Sequence, residues 1–296
     1  MNLLYTGATG FLGKNTLLFL EKDFNVSTLG LSGANYVADL TKIINLPVTS
    51  FDVVLHAAGE VHSTPKTRQE KQYFFDVNLQ GTKNLCAALE QSGLPKSFIF
   101  ISTVAVYGIE EGEEITEEHP LNGQTPYALS KLLAEEFLID WCKKNNIVLS
   151  ILRPALIAGF NSSGSLGSMI RGIKSGLYFN IAGGKARKSV VMAQDVVTLL
   201  PKLIDKGGIY NLSDGYHPSF FELSQLIAEQ LNKKTPVSIP YNLAKSVALC
   251  GDLFGSHAPI NSDKLSKIVN TLTFSNKKAV VELDWKPLNV VENFKI

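Results

Sequence analysis

The segment TPYALSK, residues 125–131, places a phenol and an ammonium on one face of a predicted helix. Thr125 can serve as the N-cap and Pro126 suits the first helical position, so we expect the helix to begin there. Tyr127 and Lys131 are then four residues apart and share a face. A nearby ammonium favours the phenolate and lowers the tyrosine pKa from about 10. Such a phenol could take a proton from an alcohol or give one to a ketone.

A chance aromatic–lysine pair on an amphipathic helix would show the same spacing, so a second observation is needed. The segment STVAVYG, residues 102–108, directly follows an apolar, strand-like run at residues 97–101. Open α/β sheets bind ligands outside the carboxyl ends of their strands. This placement favours a functional site over chance.

The segment TGATGFLG, residues 6–13, follows a short apolar run and precedes a helix-compatible stretch. Gly7 permits a tight turn, Gly10 lets the backbone approach a pyrophosphate, and Gly13 lets the helix pack on the strand. The helix N-terminus offers unpaired N–H groups and a positive dipole end to phosphates. Because the strand–turn–helix context is present, dinucleotide binding is favoured over a plain glycine turn.

Strand-like and helix-like segments alternate in the first half of the chain, and these elements must position the residues above. The strand-like runs are residues 3–5, 26–29, 51–55, 97–101 and 147–152, and the main helix-compatible segments are 78–91 and 126–144. This alternation predicts right-handed βαβ units and an α/β fold of the Rossmann type, with a doubly wound, mostly parallel sheet. Residues 209–212 are predicted to add one more strand.

The pattern loosens after Arg153, which suggests a second unit. We expect residues 1–153, with about 189–213, to form a dinucleotide-binding domain. Residues 154–188 and 214–296 are expected to form a smaller, mixed C-terminal substrate lobe.

Composition and charge argue against several classes of protein, although a local basic patch stays possible. The 296 residues are 45% hydrophobic with a net charge of +1, which gives no overall field towards nucleic acid or acidic membranes. Neither a signal peptide nor a membrane-spanning run is visible, so we expect a cytoplasmic protein without nucleic-acid or membrane partners. Cys86, Cys142 and Cys250 lie in apolar stretches without metal-ligand spacing, and we expect buried free thiols and no metal site.

The GxxGxxG spacing of the glycine loop resembles that of the extended short-chain dehydrogenase/reductase family, of the NAD-dependent epimerase/dehydratase type. This family includes nucleotide-sugar epimerases, dehydratases and reductases. Other segments that resemble the family are ADLT from Ala38, HAAG from His56, VNLQGT from Val77, STVAVYG, YALSK, LRP from Leu152 and DWKP from Asp284. The resemblance therefore runs along nearly the whole chain.

The resemblance implies NAD or NADP as cofactor and Thr103, Tyr127 and Lys131 as catalytic residues. Thr103 would hold the substrate oxygen, Tyr127 would be the acid/base, and Lys131 would also bind the nicotinamide ribose. Asn78 is expected to anchor backbone and water near Lys131. The implied cofactor-binding residues are Gly7, Gly10, Phe11, Leu12, Gly13, Asp39, Leu40, Ala57, Ala58, Gly59, Asn78, Tyr127, Lys131 and Pro154.

The implied substrate is a nucleotide diphosphate sugar. Val104 and Ala105 stand where the family's 4,6-dehydratases carry an acidic pair or Ser-Glu, which disfavours dehydration and leaves 4-epimerisation or 4-keto reduction. His62 and Arg187 resemble substrate-side residues of reductases acting on deoxy amino-sugar nucleotides. Arg187 is expected to contact the diphosphate, although an exposed basic turn without a ligand stays open. Asp195 is expected to be structural.

The form of the cofactor stays open at this point. The second strand ends in Leu29-Gly30-Leu31-Ser32, with neither an acid for a ribose 2′-hydroxyl nor an arginine for a 2′-phosphate. Lys14 could meet a 2′-phosphate or could simply be solvated.

Three alternatives also stay open. The fold could act on a non-nucleotide carbonyl compound, or it could be a non-catalytic dinucleotide sensor, although such sensors typically lose the tyrosine–lysine pair. A homodimer through the helix that carries Tyr127 is possible. Leu133, Phe137 and Trp141 form a stripe that suits this contact or, as we favour, packing on the sheet.

Overall fold

The computed structural model describes residues 1–48, 51–61, 65–255, 258 and 260–296. The strands are β1 Asn2–Thr6, β2 Asn25–Gly30, β3 Tyr36–Val37, β4 Val53–His56, β5 Ser97–Ile101, β6 Gly112–Ile115, β7 Val148–Pro154, β8 Leu156–Ala158, β9 Asn180–Ile181, β10 Val190–Met192, β11 Gly208–Leu212, β12 Ser238–Ile239 and β13 Leu272–Phe274.

The helices are α1 Phe11–Leu20, α2 Arg68–Phe75, α3 Gly81–Ser92, α4 Pro126–Asn145, α5 Gly164–Lys174, α6 Ala193–Thr198, α7 Leu200–Lys206, α8 Phe220–Gln230, α9 Tyr241–Asp252, α10 Ser262–Val269, α11 Lys277–Leu283 and α12 Val290–Asn293. A π-helical turn, Asp76–Gln80, joins α2 to α3, where the sequence predicted continuous helix from residue 78. Short 3₁₀ turns lie at Val104–Tyr107 and Ala182–Gly184.

The central sheet has seven parallel strands in the order β3-β2-β1-β4-β5-β7-β11. This doubly wound order confirms the predicted Rossmann-type fold, and its switch point lies between β1 and β4. The late strand is also confirmed, because Ile209 of β11 pairs with Ile151 of β7. Ligands are expected at the carboxyl ends of β1 and β4.

Successive residues of β1 supply two hydrophobic cores, one on each face of the sheet. Leu3 and Tyr5 face a core that includes residues of α6, α7 and α11. Leu4 faces the other core, which α3 and α4 help to build. Alternation of side chains along each strand produces this division. On the second side Trp141 packs edge-on against Phe98, as the preferred interpretation of that stripe predicted.

The C-terminal segment does not stay with the second lobe. Ala279 and Leu283 of α11, together with Trp285, are buried in the same core as Tyr5 and Leu3. A separate core between α5, α8 and α12 holds the lobe itself together, around buried Met169 and Ile227. The small strand pairs β8–β10, β9–β12 and β6–β13 complete the lobe.

One prediction about the cysteines is wrong. Cys86 and Cys142 are buried free thiols, but Cys250 is exposed on α9. Its apolar neighbours in sequence, Leu249 and Leu253, are exposed as well. Local apolarity therefore did not mean burial in this helix.

Candidate active site

The glycine loop between β1 and α1 forms one wall of a cleft of about 610 Å³. Gly7 has φ of +81°, and a Cβ there would lie 2.6 Å from the backbone nitrogen of Ala58, so only glycine fits. Gly10 is the N-cap residue of α1, and no side chain of the described residues caps that end. The backbone at Phe11 and Leu12 borders the cleft. This uncapped helix end suits a pyrophosphate, so the residues present fit a dinucleotide.

The HAAG segment after β4 forms the opposite wall and is held from behind by Asn78. The buried Asn78 amide accepts a hydrogen bond from Glu60 N at 2.8 Å and donates to Ser130 Oγ at 2.9 Å. A Cβ on Gly59 would lie 2.8 Å from Asn78 Oδ1 and 3.2 Å from Lys131 Nζ. Asn78 thus ties this wall to α4.

Thr103, Tyr127 and Lys131 all line the floor of this cleft. Helix α4 begins as predicted, with the Thr125 hydroxyl accepting a hydrogen bond from Ala128 N at 3.1 Å. Tyr127 and Thr103 lie near each other on this floor. Lys131 Nζ donates to the carbonyl of Ile101 at 2.9 Å. The end of β5 and the first two turns of α4 therefore bring the three side chains together.

Burial controls the proton affinities of the tyrosine and the lysine. It raises the pKa of Tyr127, and the hydrogen bond with Thr103 only partly opposes this. From the Tyr127–Lys131 spacing we expected a lowered pKa for Tyr127; the direction is opposite because burial removes the phenol from water. Burial lowers the pKa of Lys131 to about 8, while the nearby carboxylate of Glu135 raises it.

A buried ion pair lies behind this floor, and the sequence analysis did not identify it. Arg153 donates from Nη2 to Glu135 Oε2 at 2.6 Å and from Nε to Oε1 at 3.1 Å. Ser102, beside Thr103, also donates to Glu135. Arg153 donates to the Tyr107 hydroxyl at 3.1 Å. The network fixes the ends of β5 and β7 against α4. Two features of the sequence could have indicated this network: a glutamate one helical turn after Lys131, and the arginine of the LRP segment.

The remaining wall comes from the end of β7 and from the second lobe. Pro154, Ala155 and Ile157 border the cleft from the sheet side, and residues 163–166 border it at the start of α5. Glu60 and Val61, which the sequence analysis did not select, border it beside Gly59. The cleft therefore lies between the glycine loop and the lobe.

Several proposed cofactor residues lie behind or beside the cleft surface. Asp39 accepts hydrogen bonds from Thr41 N and Oγ1 at 2.9 and 2.8 Å, which hold the pKa of its carboxyl low. Leu40 is buried in the core on the α3 side of the sheet. Gly13 packs α1 onto the loop: a Cβ there would lie 2.2 Å from the carbonyl oxygen of Ala8.

The structure does not bring Arg187 to the cleft that contains Tyr127. Its guanidinium donates to the carbonyls of Tyr216 and His217 and lies over the Tyr216 ring. Arg187 borders a separate, open pocket. His62, the other predicted substrate residue, lies outside the described residues.

Asp195 has the structural surroundings that were expected of it. Its carboxylate accepts a hydrogen bond from Leu288 N at 2.7 Å, and its carbonyl accepts one from Trp285 Nε1 at 3.2 Å. Burial raises the pKa of this carboxyl to about 6. No group of His, Cys, Asp and Glu side chains among the described residues could hold a metal ion.

A doubly wound sheet, a glycine loop and a Thr–Tyr–Lys set in one cleft define an NAD(P)-binding enzyme of the extended short-chain dehydrogenase/reductase type. Residues 3–213 match the model of the "NAD dependent epimerase/dehydratase family", and the chain belongs to that family.

Two curated relatives are similar over most of their length. One is the N-acetyl-alpha-D-glucosaminyl-diphospho-ditrans,octacis-undecaprenol 4-epimerase of Escherichia coli O157:H7, which is 29% identical over 94% of this chain and 88% of that protein. The other is a UDP-glucose 4-epimerase of Vibrio cholerae, 29% identical over 99% of this chain and 93% of that protein. Among solved structures, RMD from Pseudomonas aeruginosa complexed with NADPH superposes with a TM-score of 0.75. It is 24% identical and covers 99% of this chain and 96% of its own.

Proposed function

We propose that this protein is an NAD(P)-dependent 4-epimerase of a sugar carried on a diphosphate, with a nucleotide sugar as the first candidate substrate. One observation carries the proposal: Thr103, Tyr127 and Lys131 share a single cleft with the glycine loop. Both curated relatives above are 4-epimerases, and the names of both substrates contain a sugar diphosphate. Neither Val104 nor Ala105 carries an acid that would favour elimination over epimerisation.

In this proposal the chain's own residues handle the proton while hydride leaves and returns at one carbon. Tyr127 takes the proton from the substrate hydroxyl. It returns the proton after the keto sugar has rotated in the site, so that hydride returns to the other face of the same carbon. Thr103, which lies near Tyr127 on the cleft floor, holds the same oxygen. Bound NAD(P) supplies the hydride acceptor and donor. Lys131, when protonated, favours the phenolate of Tyr127 and holds the cofactor ribose.

The two walls of the cleft are proposed to bind different parts of the cofactor. Gly7, Gly10, Phe11 and Leu12 hold the pyrophosphate, and Ala57–Gly59 with Pro154 border the nicotinamide end. Asp39 and Leu40, after β3, are proposed for the adenosine end. Residues 1–153 with about 189–213 are proposed as the cofactor domain and 154–188 with 214–296 as the substrate lobe, apart from α11 and Trp285, which pack on the main sheet.

A 4-ketoreductase is the second candidate, and the end of β2 favours it. Residues 31–33 there are Leu, Ser and Gly, so this turn has no carboxylate to repel a 2′-phosphate. Such a site can accept NADPH, which a reductase would consume as a substrate.

Free thiols support a reducing compartment for the enzyme. All three cysteines are unpaired, and two of them are buried. We propose the cytoplasm on this ground, with a homodimer through α4 as a further proposal, since Leu133 and Phe137 are only partly buried there.

The test is to denature the purified protein and identify the released nucleotide by mass. Near-stoichiometric NAD, followed by interconversion of UDP-glucose or a related nucleotide sugar without added reductant, would support the epimerase. An empty site with consumption of NADPH on a 4-keto nucleotide sugar would support the reductase. Tyr127→Phe should lower turnover about 10²- to 10⁴-fold while it keeps dinucleotide affinity. If the folded protein binds neither dinucleotide, the proposal is wrong.

A further inference from the structure

Helix α9, Tyr241–Asp252, carries its large apolar side chains on the outside of the molecule. Its buried positions are Ala244, Ala248 and Gly251. A Cβ on Gly251 would lie 2.0 Å from the carbonyl oxygen of Ile260, so the buried side accepts only small residues. The core beneath α9 is thus complete without the large side chains of this helix.

Those large side chains form a continuous stripe. Leu243, Val247, Cys250 and Phe254 follow each other at spacings of four, three and four, which places them on one side of the helix and its C-terminal extension. Leu243, Val247 and Phe254 are 57%, 51% and 70% exposed. A contiguous exposed apolar surface of this kind marks an interaction site.

Two more exposed apolar residues lie at the strand pair that packs against α9 through Ile181 and Ile239. Asn180 of β9 pairs with Ser238 of β12, and Phe179 and Val237 immediately precede these two residues. Both Phe179 and Val237 are exposed. We define the α9 surface by its exposed apolar members: Phe179, Val237, Leu243, Val247, Leu249, Cys250, Leu253 and Phe254.

Basic residues lie in the same stretch of the chain as the members of this surface. Residues 231–255 contain three lysines, Lys233, Lys234 and Lys245, all exposed, and a single acid, Asp252. The Asp252 carboxylate accepts hydrogen bonds from Ser262 N at 2.8 Å and Ser262 Oγ at 2.6 Å. Lysine beside exposed leucine and phenylalanine on one helix is typical of helices that lie in the membrane interface.

We propose that the α9 surface docks on the surface of an anionic phospholipid bilayer, with α9 parallel to the membrane plane. The apolar stripe would enter the boundary between headgroups and acyl chains, and the lysines would contact the lipid phosphates. Spanning is excluded for this helix, because it has 12 residues and crossing needs about 20. No helix of the described part of the chain is long and apolar enough to cross a membrane.

The charge pattern favours a bilayer over a second copy of the chain. A two-fold contact would use the same surface on both copies and would bring their lysines into one interface. Like charges there oppose association, whereas anionic headgroups neutralise them. The docking proposal does not depend on the proposed reaction, since none of its residues lines the catalytic cleft.

The native Cys250 thiol provides a direct test, because Cys86 and Cys142 are buried. The thiol is labelled in the folded protein with an environment-sensitive fluorophore, and vesicles of phosphatidylglycerol and phosphatidylcholine are added. A blue shift together with co-sedimentation, weaker with pure phosphatidylcholine and weaker at high salt, is the expected result. No shift and no sedimentation with anionic vesicles would overturn the proposal.

Unlabelled variants provide matched controls. Val247→Glu and Phe254→Glu change exposed positions of the α9 surface, and Ile43→Glu and Val48→Glu change still more exposed apolar positions elsewhere. The first pair should lose at least about tenfold in vesicle partitioning, and Lys245→Gln about fivefold at low salt. The second pair should bind vesicles like the parent protein.

Two further readouts separate the possible outcomes. Dinucleotide affinity should be unchanged in all five variants, so a failed docking test leaves the proposed reaction untouched. A dimer in light scattering that Val247→Glu dissociates, without vesicle binding by the parent, would mean that a second copy covers the surface and would overturn the proposal.

Discussion

At the scale of single residues, burial and one carboxylate set the charge of Lys131. Burial lowers its pKa to about 8, and Glu135 opposes the shift from one turn further along α4. Glu135 is itself held by Arg153 and Ser102. The ion pair behind the floor thus helps keep Lys131 charged near neutral pH.

This arrangement predicts the alkaline side of the pH–rate profile. Lys131 loses its proton as pH rises through about 8, so kcat/KM should fall above that value. Glu135→Gln removes the group that raises the lysine pKa, and the fall should begin at lower pH. The profile is measured on both proteins under saturating cofactor.

Glu136→Gln, at the exposed neighbouring position, is the matched control and should leave the profile in place. Circular dichroism verifies that Glu135→Gln is folded, because Arg153 loses its charged partner in this variant. A profile that does not move in the folded Glu135→Gln protein would contradict the role given to Glu135.

At the scale of elements, the sequence was informative wherever local pattern and fold agree. The regular strand–helix alternation gave the parallel sheet, and the cap at Thr125 gave the start of α4. The two-residue strands β9 and β12 have no periodic pattern and exist because they pair with each other. The sequence could not give them, since their partners are distant in the chain.

At the site too, local sequence patterns predicted the position of some residues and not of others. The motif residues Thr103, Tyr127 and Lys131 meet in one cleft, as their placement at strand and helix ends led us to expect. Arg187 turns to the carbonyls of Tyr216 and His217, which no local pattern around Arg187 indicates. Side-chain direction in loops depends on neighbours that are distant in sequence.

The packing of α1 on the glycine loop gives an element-scale prediction. Gly13→Ala would place a methyl group 2.2 Å from the backbone oxygen of Ala8, so α1 must shift. We expect a loss of about 1–3 kcal/mol in the free energy of unfolding and weaker dinucleotide binding. Urea unfolding and a fluorescence titration with NADH measure the two effects.

Gly176→Ala is the control, because nothing lies within 4 Å of a Cβ at Gly176. Its φ of +72° still costs about 1 kcal/mol for alanine. Dinucleotide affinity should be unchanged there. Equal loss of affinity in both variants would show that Gly13 does not position the loop.

At the scale of the whole molecule, two buried aspartates hold the C-terminal segment across the lobe and the main sheet. Asp195 accepts from Leu288 N at 2.7 Å, and Asp214 accepts from Val290 N at 3.2 Å. Trp285, which follows α11 in the chain, is buried in the main core. The two carboxylates repel each other, and this repulsion adds to the burial that raises the pKa of Asp195.

Asp195 therefore makes stability depend on pH in an unusual direction. Its pKa rises from 3.8 to about 6 on folding, so the folded state binds the extra proton. The stability that this group contributes is present below pH 4 and is lost as pH rises through about 6. Asp195→Asn keeps an acceptor for Leu288 N and should reduce this loss by about 2 kcal/mol.

Urea unfolding at pH 4.5 and pH 7 measures the effect as the difference between the parent protein and the variant. Asp205→Asn, at an exposed position, serves as the control and should follow the parent at both pH values. Equal pH dependence in the parent and in Asp195→Asn would mean that Asp195 is not the responsible group.

The position of β11 at the edge of the sheet has a consequence for biosynthesis. A ribosome makes β11 only after the segments that build the lobe wall of the cleft, although β11 pairs with β7. Until Leu212 emerges, one edge of β7 has no partner strand, and an open strand edge invites pairing with another nascent chain. The first 153 residues thus cannot complete their sheet during translation, and this interval is when the chain would most need a chaperone.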